Sequence, residues 1–287
     1  MIKFHKKFGL ALGGGGAKGI AHIGVLKYLE EAGIKIDYLA GTSMGALVGA
    51  LYAAGNTIDE LVRLTKDFSL KDQLKLVDVG LPQGLFKGNK IVRFMEKYIP
   101  VELTFADLEM PFAVTAVDLM SGKVRVISEG NVLEAVRASI SYPFFFKPVV
   151  NKNDILVDGG ILLNIPIDVL YEMGANFIAA VRVSHFMEFE EQDEILKSDF
   201  MTTPAFVKIL LRTLSVATKN IENAYLAEVK PDVMIDVEIP DVSATNFLGA
   251  KHLIERGYEA ATKIGGKLKK SKVFYIKKRG TITMPRH

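Results

Sequence analysis

The chain has 287 residues, 49% of them hydrophobic, a formal net charge of +3 and no cysteine. That is apolar material for one large α/β domain or two small ones, and it excludes a disordered chain. The lack of cysteine excludes disulfides, thiolate metal sites and a cysteine nucleophile, and is read as a cytoplasmic setting.

The first residues, MIKFHKKFGLALGGGGA, place three lysines ahead of an apolar patch, as a signal peptide does. Phe8 to Leu12 is too short for the apolar region of such a leader and runs into glycines, so a strand is predicted. No stretch approaches the ~20 apolar residues of a membrane span. A helix follows near 17–32, a strand near 36–41, a helix near 44–54 and further helix to about 69. Gly33 and Gly55 stand where helix ends favour glycine. This alternation is the signature of a parallel sheet with crossover helices.

Residues 71–90 read as loop and KIVRFMEKYI as helix. PFAVTAVDL and KVRVI read as strands joined through the turn MSG. Further strands are predicted at DILVD, NFIAAVRV, VMIDV and VFYI. Between them MEFEEQDE, residues 187–194, reads as an exposed acidic loop. A long helix is expected over 203–229, where Phe206, Ile209, Leu210, Leu214, Ala217, Ile221 and Ala224 recur at helical spacing. Such a stripe is expected to pack on the core; the alternative is a lid over an apolar pocket. Residues 263–287 hold nine basic residues and no acid. They read first as a solvated tail, with contact to anionic lipid head groups as the alternative.

Two glycine-rich turns stand at the ends of the first two long strands. Gly14-Gly15-Gly16-Ala17-Lys18-Gly19 fits the G-x-G-x-x-G of dinucleotide sites, with Asp37 as the candidate acid. Asp37 precedes its strand, however, and would sit at the wrong edge of the sheet. A phosphate-binding P-loop fails because Lys18 precedes Gly19 and no hydroxyl follows.

Gly41-Thr42-Ser43-Met44-Gly45 is G-x-S-x-G between a strand and a helix, the setting of a nucleophile elbow. Glycines flank the serine because side chains would clash across so sharp a turn. Both turns lie at the same edge of a parallel sheet. The amides of Gly14, Gly15 and Gly16 are therefore expected to face the carbonyl that Ser43 attacks and to form an oxyanion hole.

A serine needs a neighbouring base. Of the five histidines, His5 and His287 are terminal, His22 lies one turn into the first helix, and His252 sits in a late helix. His185 would give the order Ser43, Asp158, His185 of α/β-hydrolases. Asp158, at a strand end before Gly159 and Gly160, is a second candidate, provided burial raises its pKa from about 3.9.

Taken in order, GGGGAKG, GTSMG and DGG resemble the patatin-like phospholipase family, most closely its stand-alone bacterial members. The resemblance runs through GLFKGNK, RASISYPFFFKPV and DGGILLNIP to PDVMIDVEIPDVSATNFLGAKHLIERGYEAA, covering most of residues 8–265. It implies a three-layer α/β/α fold with a mostly parallel sheet, related to α/β-hydrolases, as one domain over 1–265 with a basic segment, 266–287, outside it. It also implies a Ser43–Asp158 dyad without histidine, and the 14–19 loop as oxyanion hole with Lys18 in its basic slot. Gly13, Lys18, Gly19, Gly41, Gly45, Gly159 and Gly160 are implied as motif support. Leu163 departs from the family, where an asparagine often precedes the counterpart of Asn164.

The expected activity is hydrolysis of lipid or phospholipid esters through an acyl-enzyme, with no metal or other cofactor and no nucleic-acid partner. SYPFFFKP, residues 141–148, is a candidate acyl-pocket wall or a packed loop. An acyltransferase sharing the acyl-serine is the first alternative, and a dinucleotide-binding protein or a non-catalytic adaptor the next.

Overall fold

The computed structural model describes residues 2–4, 6–67, 93, 95–183, 205–240, 249–271 and 274–276. The elements in chain order are β1 (Ile2–Phe4), β2 (Phe8–Leu12), α1 (Ala21–Glu31), β3 (Tyr38–Thr42), α2 (Met44–Ala53), α3 (Ile58–Asp67), β4 (Phe112–Asp118) and β5 (Lys123–Ile127). They continue with α4 (Val132–Ser139), β6 (Val149–Val150), β7 (Ile155–Asp158), α5 (Ile167–Glu172), β8 (Phe177–Val183), α6 (Ala205–Glu228), β9 (Val233–Val237), α7 (Ala250–Lys263), α8 (Gly265–Leu268) and β10 (Phe274–Ile276). The expected 71–90 loop, residues 91, 92 and 94 of the helix after it and the acidic stretch 187–194 lie outside the described residues. Gly33 and Gly55 have φ of 60° and 89°, the left-handed turn that glycine tolerates best.

Eight strands form one mixed sheet in the order β6-β7-β4-β3-β2-β8-β9, with β5 also paired to β4. β4, β3, β2, β8 and β9 run parallel. β5 and β7 pair antiparallel to β4. VFYI does not join this sheet: β10 pairs with β1 in a separate ribbon.

Successive side chains of a strand point to opposite faces, and the sheet divides its core accordingly. Leu10, Leu12, Leu39, Val114 and Val181 pack on the side that holds α1, α2 and α7. Ala11, Ala40, Ala113 and Ala180 point to the other side, in register across four adjacent strands. That row of small residues lets Ile167 and Leu170 of α5 settle close to the sheet. Helices therefore cover both faces, giving a three-layer α/β/α fold.

Two features depart from the expected pattern, the first of them beside the site. The apolar stripe of α6 does not enter the core: Phe206 is 63% exposed, Leu210 45% and Ile221 37%. Its inward face carries Leu211, Ser215, Thr218 and Glu222 instead, all buried. On that face Glu222 meets the buried amide of Asn164, which needs a polar partner, while Thr218 Oγ1 donates to the Ser215 carbonyl of its own helix. At the other end of the chain, Leu268 of α8 is fully buried in the main core, so packing continues past residue 265.

The site depends on how β4 is shared. β5 pairs with Val114–Asp118, β3 with Phe112–Thr115 and β7 with Ala116–Asp118. A strand has two edges, and β5 occupies one. β3 and β7 therefore meet end to end along the other, which brings the end of β3 beside Asp158, opposite Ala116.

Candidate active site

Ser43 follows the last residue of β3 and precedes α2, with φ 53° and ψ −121°. A non-glycine residue holds such a backbone only where its surroundings enforce it. Here they do. A Cβ on Gly41 would stand 2.5 Å from the Gly45 carbonyl oxygen, and one on Gly45 2.2 Å from that of Leu12. The Ser43 N–H donates to Ser139 Oγ at 2.8 Å, which ties the turn to the end of α4. Ser43 also sits at the positive end of α2.

The Ser43 hydroxyl donates to Asp158 Oδ2 at 2.6 Å. Asp158 is 1% exposed, and its Oδ1 accepts the Gly160 N–H at 2.8 Å. Burial raises its carboxyl to about pKa 7, against the bonds from Ser43 and Gly160, which pull the other way. Gly159 is required by close approach, since a Cβ there would meet the Thr115 carbonyl at 2.5 Å. Beneath this hydrogen-bonded pair the Thr42 hydroxyl contacts that of Thr115 at 2.6 Å and donates to the Leu163 carbonyl at 3.0 Å.

The glycine loop lies against the same point. A Cβ on Gly14 would be 3.1 Å from Ser43 Cβ, and one on Gly19 2.4 Å from Met44 Cγ. Gly16 has φ 55° and starts a 3-10 turn, so its N–H is among the first amides, which have no partner within the turn. Gly14 departs from the expectation. Its N–H donates to Asn164, to the backbone oxygen at 3.2 Å and to Oδ1 at 3.1 Å, and so is not open to a substrate. Gly13 likewise donates to the Val181 carbonyl at 3.0 Å. Lys18 is buried in the turn.

Asn164 and Glu222 were not singled out as site residues. Asn164 Nδ2 donates to Glu222 Oε2 at 2.6 Å, and both side chains are buried. Burial pushes the Glu222 carboxyl above its ordinary value, while Asn164, Arg182 and Lys219 pull it down and Asp236 adds to the rise. The polar recurrence Ser215, Thr218, Glu222 at helical spacing was the available signal.

His22 is fully buried, with Nε2 2.7 Å from the Gly13 carbonyl oxygen and Nδ1 without a partner among the described residues. Burial lowers it to about pKa 4. It is therefore neutral near pH 7, donating from Nε2 and bracing the loop. His252 is exposed on α7, and His5, His185 and His287 lie outside the described residues. Asp37 sits at the far end of β3, where it accepts the Phe8 N–H at 2.8 Å and lies 3.6 Å from Lys7, away from the glycine loop.

The 141–148 segment lies beside Asp158, whose N–H donates to the Ser141 carbonyl at 3.1 Å. Burial, with the Asp158 charge, raises Tyr142 to about pKa 12, and its ring lies 6.1 Å from that of Phe145. Arg137 holds the segment through Ser141 Oγ and the Lys147 carbonyl.

A profile of the patatin-like phospholipase family matches residues 10–171, the span that carries the glycine loop, Ser43 and Asp158. The chain belongs to that family. This patatin-like chain is 34% identical over 181 residues to neuropathy target esterase sws of Drosophila melanogaster, covering 61% of itself but 13% of that protein. It is 36% identical over 177 residues to an uncharacterized NTE family protein of Mycobacterium bovis, 48% of whose length it spans. It is similar in fold to VipD from Legionella pneumophila, with a TM-score of 0.54 at 18% identity, over 94% of this chain and 68% of that one. Among the described residues of the patatin-like chain, no helix is long and apolar enough to cross a membrane, and no three His, Asp or Glu side chains cluster to hold a metal ion.

Proposed function

We propose that the chain is a serine hydrolase of lipid acyl esters, with Ser43 as nucleophile and Asp158 as its base. The observation that carries this reading is the 2.6 Å hydrogen bond from Ser43 Oγ to a fully buried carboxylate. An ordinary aspartate is too weak a base for an alcohol. One raised to about 7 accepts a proton far more readily at neutral pH and can return it.

Asp158 takes the proton as Ser43 Oγ bonds to the ester carbonyl carbon. The negative charge moves to the carbonyl oxygen, where the N–H groups of Gly15 and Gly16 receive it. As the carbon–oxygen bond to the alcohol breaks, Asp158 returns the proton to the departing oxygen, leaving an acyl-serine. Water then adds to the acyl carbon, Asp158 removes its proton, and the acid departs with Ser43 re-protonated.

The lipid class of substrate is supported by family membership and by the apolar flank around Tyr142 and Phe145. Transfer of the acyl group to an acceptor other than water would use the same intermediate. Hydrolysis of p-nitrophenyl butyrate is expected to rise with pH through a single limb near 7 and to fall at least ~10⁴-fold in Ser43→Ala and in Asp158→Asn. Parental turnover in either variant would defeat the assignment.

A further inference from the structure

Among the described residues the mechanism leaves two buried carboxylates unused, Asp118, which caps its own turn through Met120 and Ser121, and Glu222. Glu222, on the inward face of α6, is 4% exposed and bonded to Asn164, which is 5% exposed and in turn bonded to Gly14. Gly14 is wedged between two side chains: a Cβ there would lie 2.6 Å from Asn164 Oδ1 and 3.1 Å from Ser43 Cβ. Whatever fixes Asn164 therefore fixes the distance of the loop from the nucleophile.

The chemistry of the amide makes Glu222 the selector. A backbone N–H can only donate, so the Asn164 atom that meets Gly14 must be the oxygen. Its NH2 group then needs an acceptor in a buried position, and a carboxylate is an acceptor on both oxygens. With the amide turned over, NH2 would face N–H at Gly14, and oxygen would face carboxylate oxygen at Glu222. Both contacts are repulsive.

We infer that Glu222 is a positioning residue for ester hydrolysis: through Asn164 it holds Gly14, and thereby sets where Gly15 and Gly16 present their N–H groups to the oxyanion. The inference rests on the acyl-serine reading above. It makes α6, the helix whose apolar face is turned outward, part of the support of the oxyanion loop. Loop displacement of even an ångström is expected to appear in kcat rather than in KM, because the contact matters when charge develops.

The test measures kcat and KM on p-nitrophenyl butyrate, with thermal unfolding in parallel, for the parent, Glu222→Gln, Glu222→Ala, Asn164→Ala and the double alanine variant. Glu222→Ala is expected to lose roughly ten- to a hundredfold in kcat with KM nearly unchanged. Glu222→Gln is expected within about threefold of the parent, since its amide oxygen can accept from Asn164 Nδ2. The double variant should be no worse than Asn164→Ala, the signature of residues acting as one unit.

Parental kcat in Glu222→Ala, equal impairment of a folded Glu222→Gln, or multiplying losses in the double variant would overturn the proposal. If Glu222→Ala does not fold, Glu222→Gln decides alone, near-parental kcat sustaining the proposal and a hundredfold loss ending it. Ser43→Ala in the same assay separates the two levels. Activity surviving there removes the acyl-serine reading itself, whereas its loss alongside parental Glu222→Ala removes only the role of Glu222.

Discussion

At the scale of single residues the centre of the site is a conflict. Asp158 is buried where its charge is disfavoured, yet both of its oxygens accept hydrogen bonds that suit the charged form. Burial wins, and the carboxyl is raised from 3.8 to about 7. Between those values the folded protein holds a proton that the unfolded chain has released, so stability falls as pH rises across that window. Asp158→Asn removes the charge and keeps an acceptor for the Gly160 N–H. It should therefore melt at least about 3 °C above the parent at pH 8 while losing activity, and the gap should close toward pH 4. A variant less stable than the parent at pH 8 would show that the carboxylate is held without strain.

The elements were legible in the sequence to the extent that their apolar periodicity was simple. KVRVI and VMIDV form β5 and β9 with the bounds expected, and the turns at Gly33 and Gly55 fall where glycine was needed. The stripe of α6 misled because periodicity gives a helix its two faces without saying which is inside, and here the interior is polar. A second feature had no readable sign, the crossing of α1 and α7. A Cβ on Gly24 would lie 1.9 Å from the Ile254 carbonyl oxygen, and one on Gly257 1.9 Å from that of Ala21. The two helices meet backbone to backbone, so Gly24→Ala or Gly257→Ala must push them apart. Either is expected to lower stability by about 1–3 kcal/mol in urea unfolding, and an unchanged midpoint would contradict the close crossing.

For the whole molecule, the candidate site is an assembly of sheet ends. Ser43 and Asp158, 115 residues apart in sequence, meet because β3 and β7 share one edge of β4. The three motifs GGGGAKG, GTSMG and DGG were visible because each turn imposes glycine at fixed offsets. The partners Ser139 and Glu222 were not, and Asn164 was visible as a family position without its role, because what pairs them is strand order and helix orientation, which local pattern does not encode. The same reason explains Gly14: its place in the motif suggested an open amide, and its tertiary partner closes it.

The account stands on Ser43 being the group that becomes acylated. Reaction of the folded chain with a fluorophosphonate, followed by peptide mass spectrometry, tests this directly. One adduct is predicted, on Ser43, absent from Ser43→Ala and formed far more slowly in Asp158→Asn. An adduct that persists undiminished in Ser43→Ala, or that maps to another residue, would contradict it.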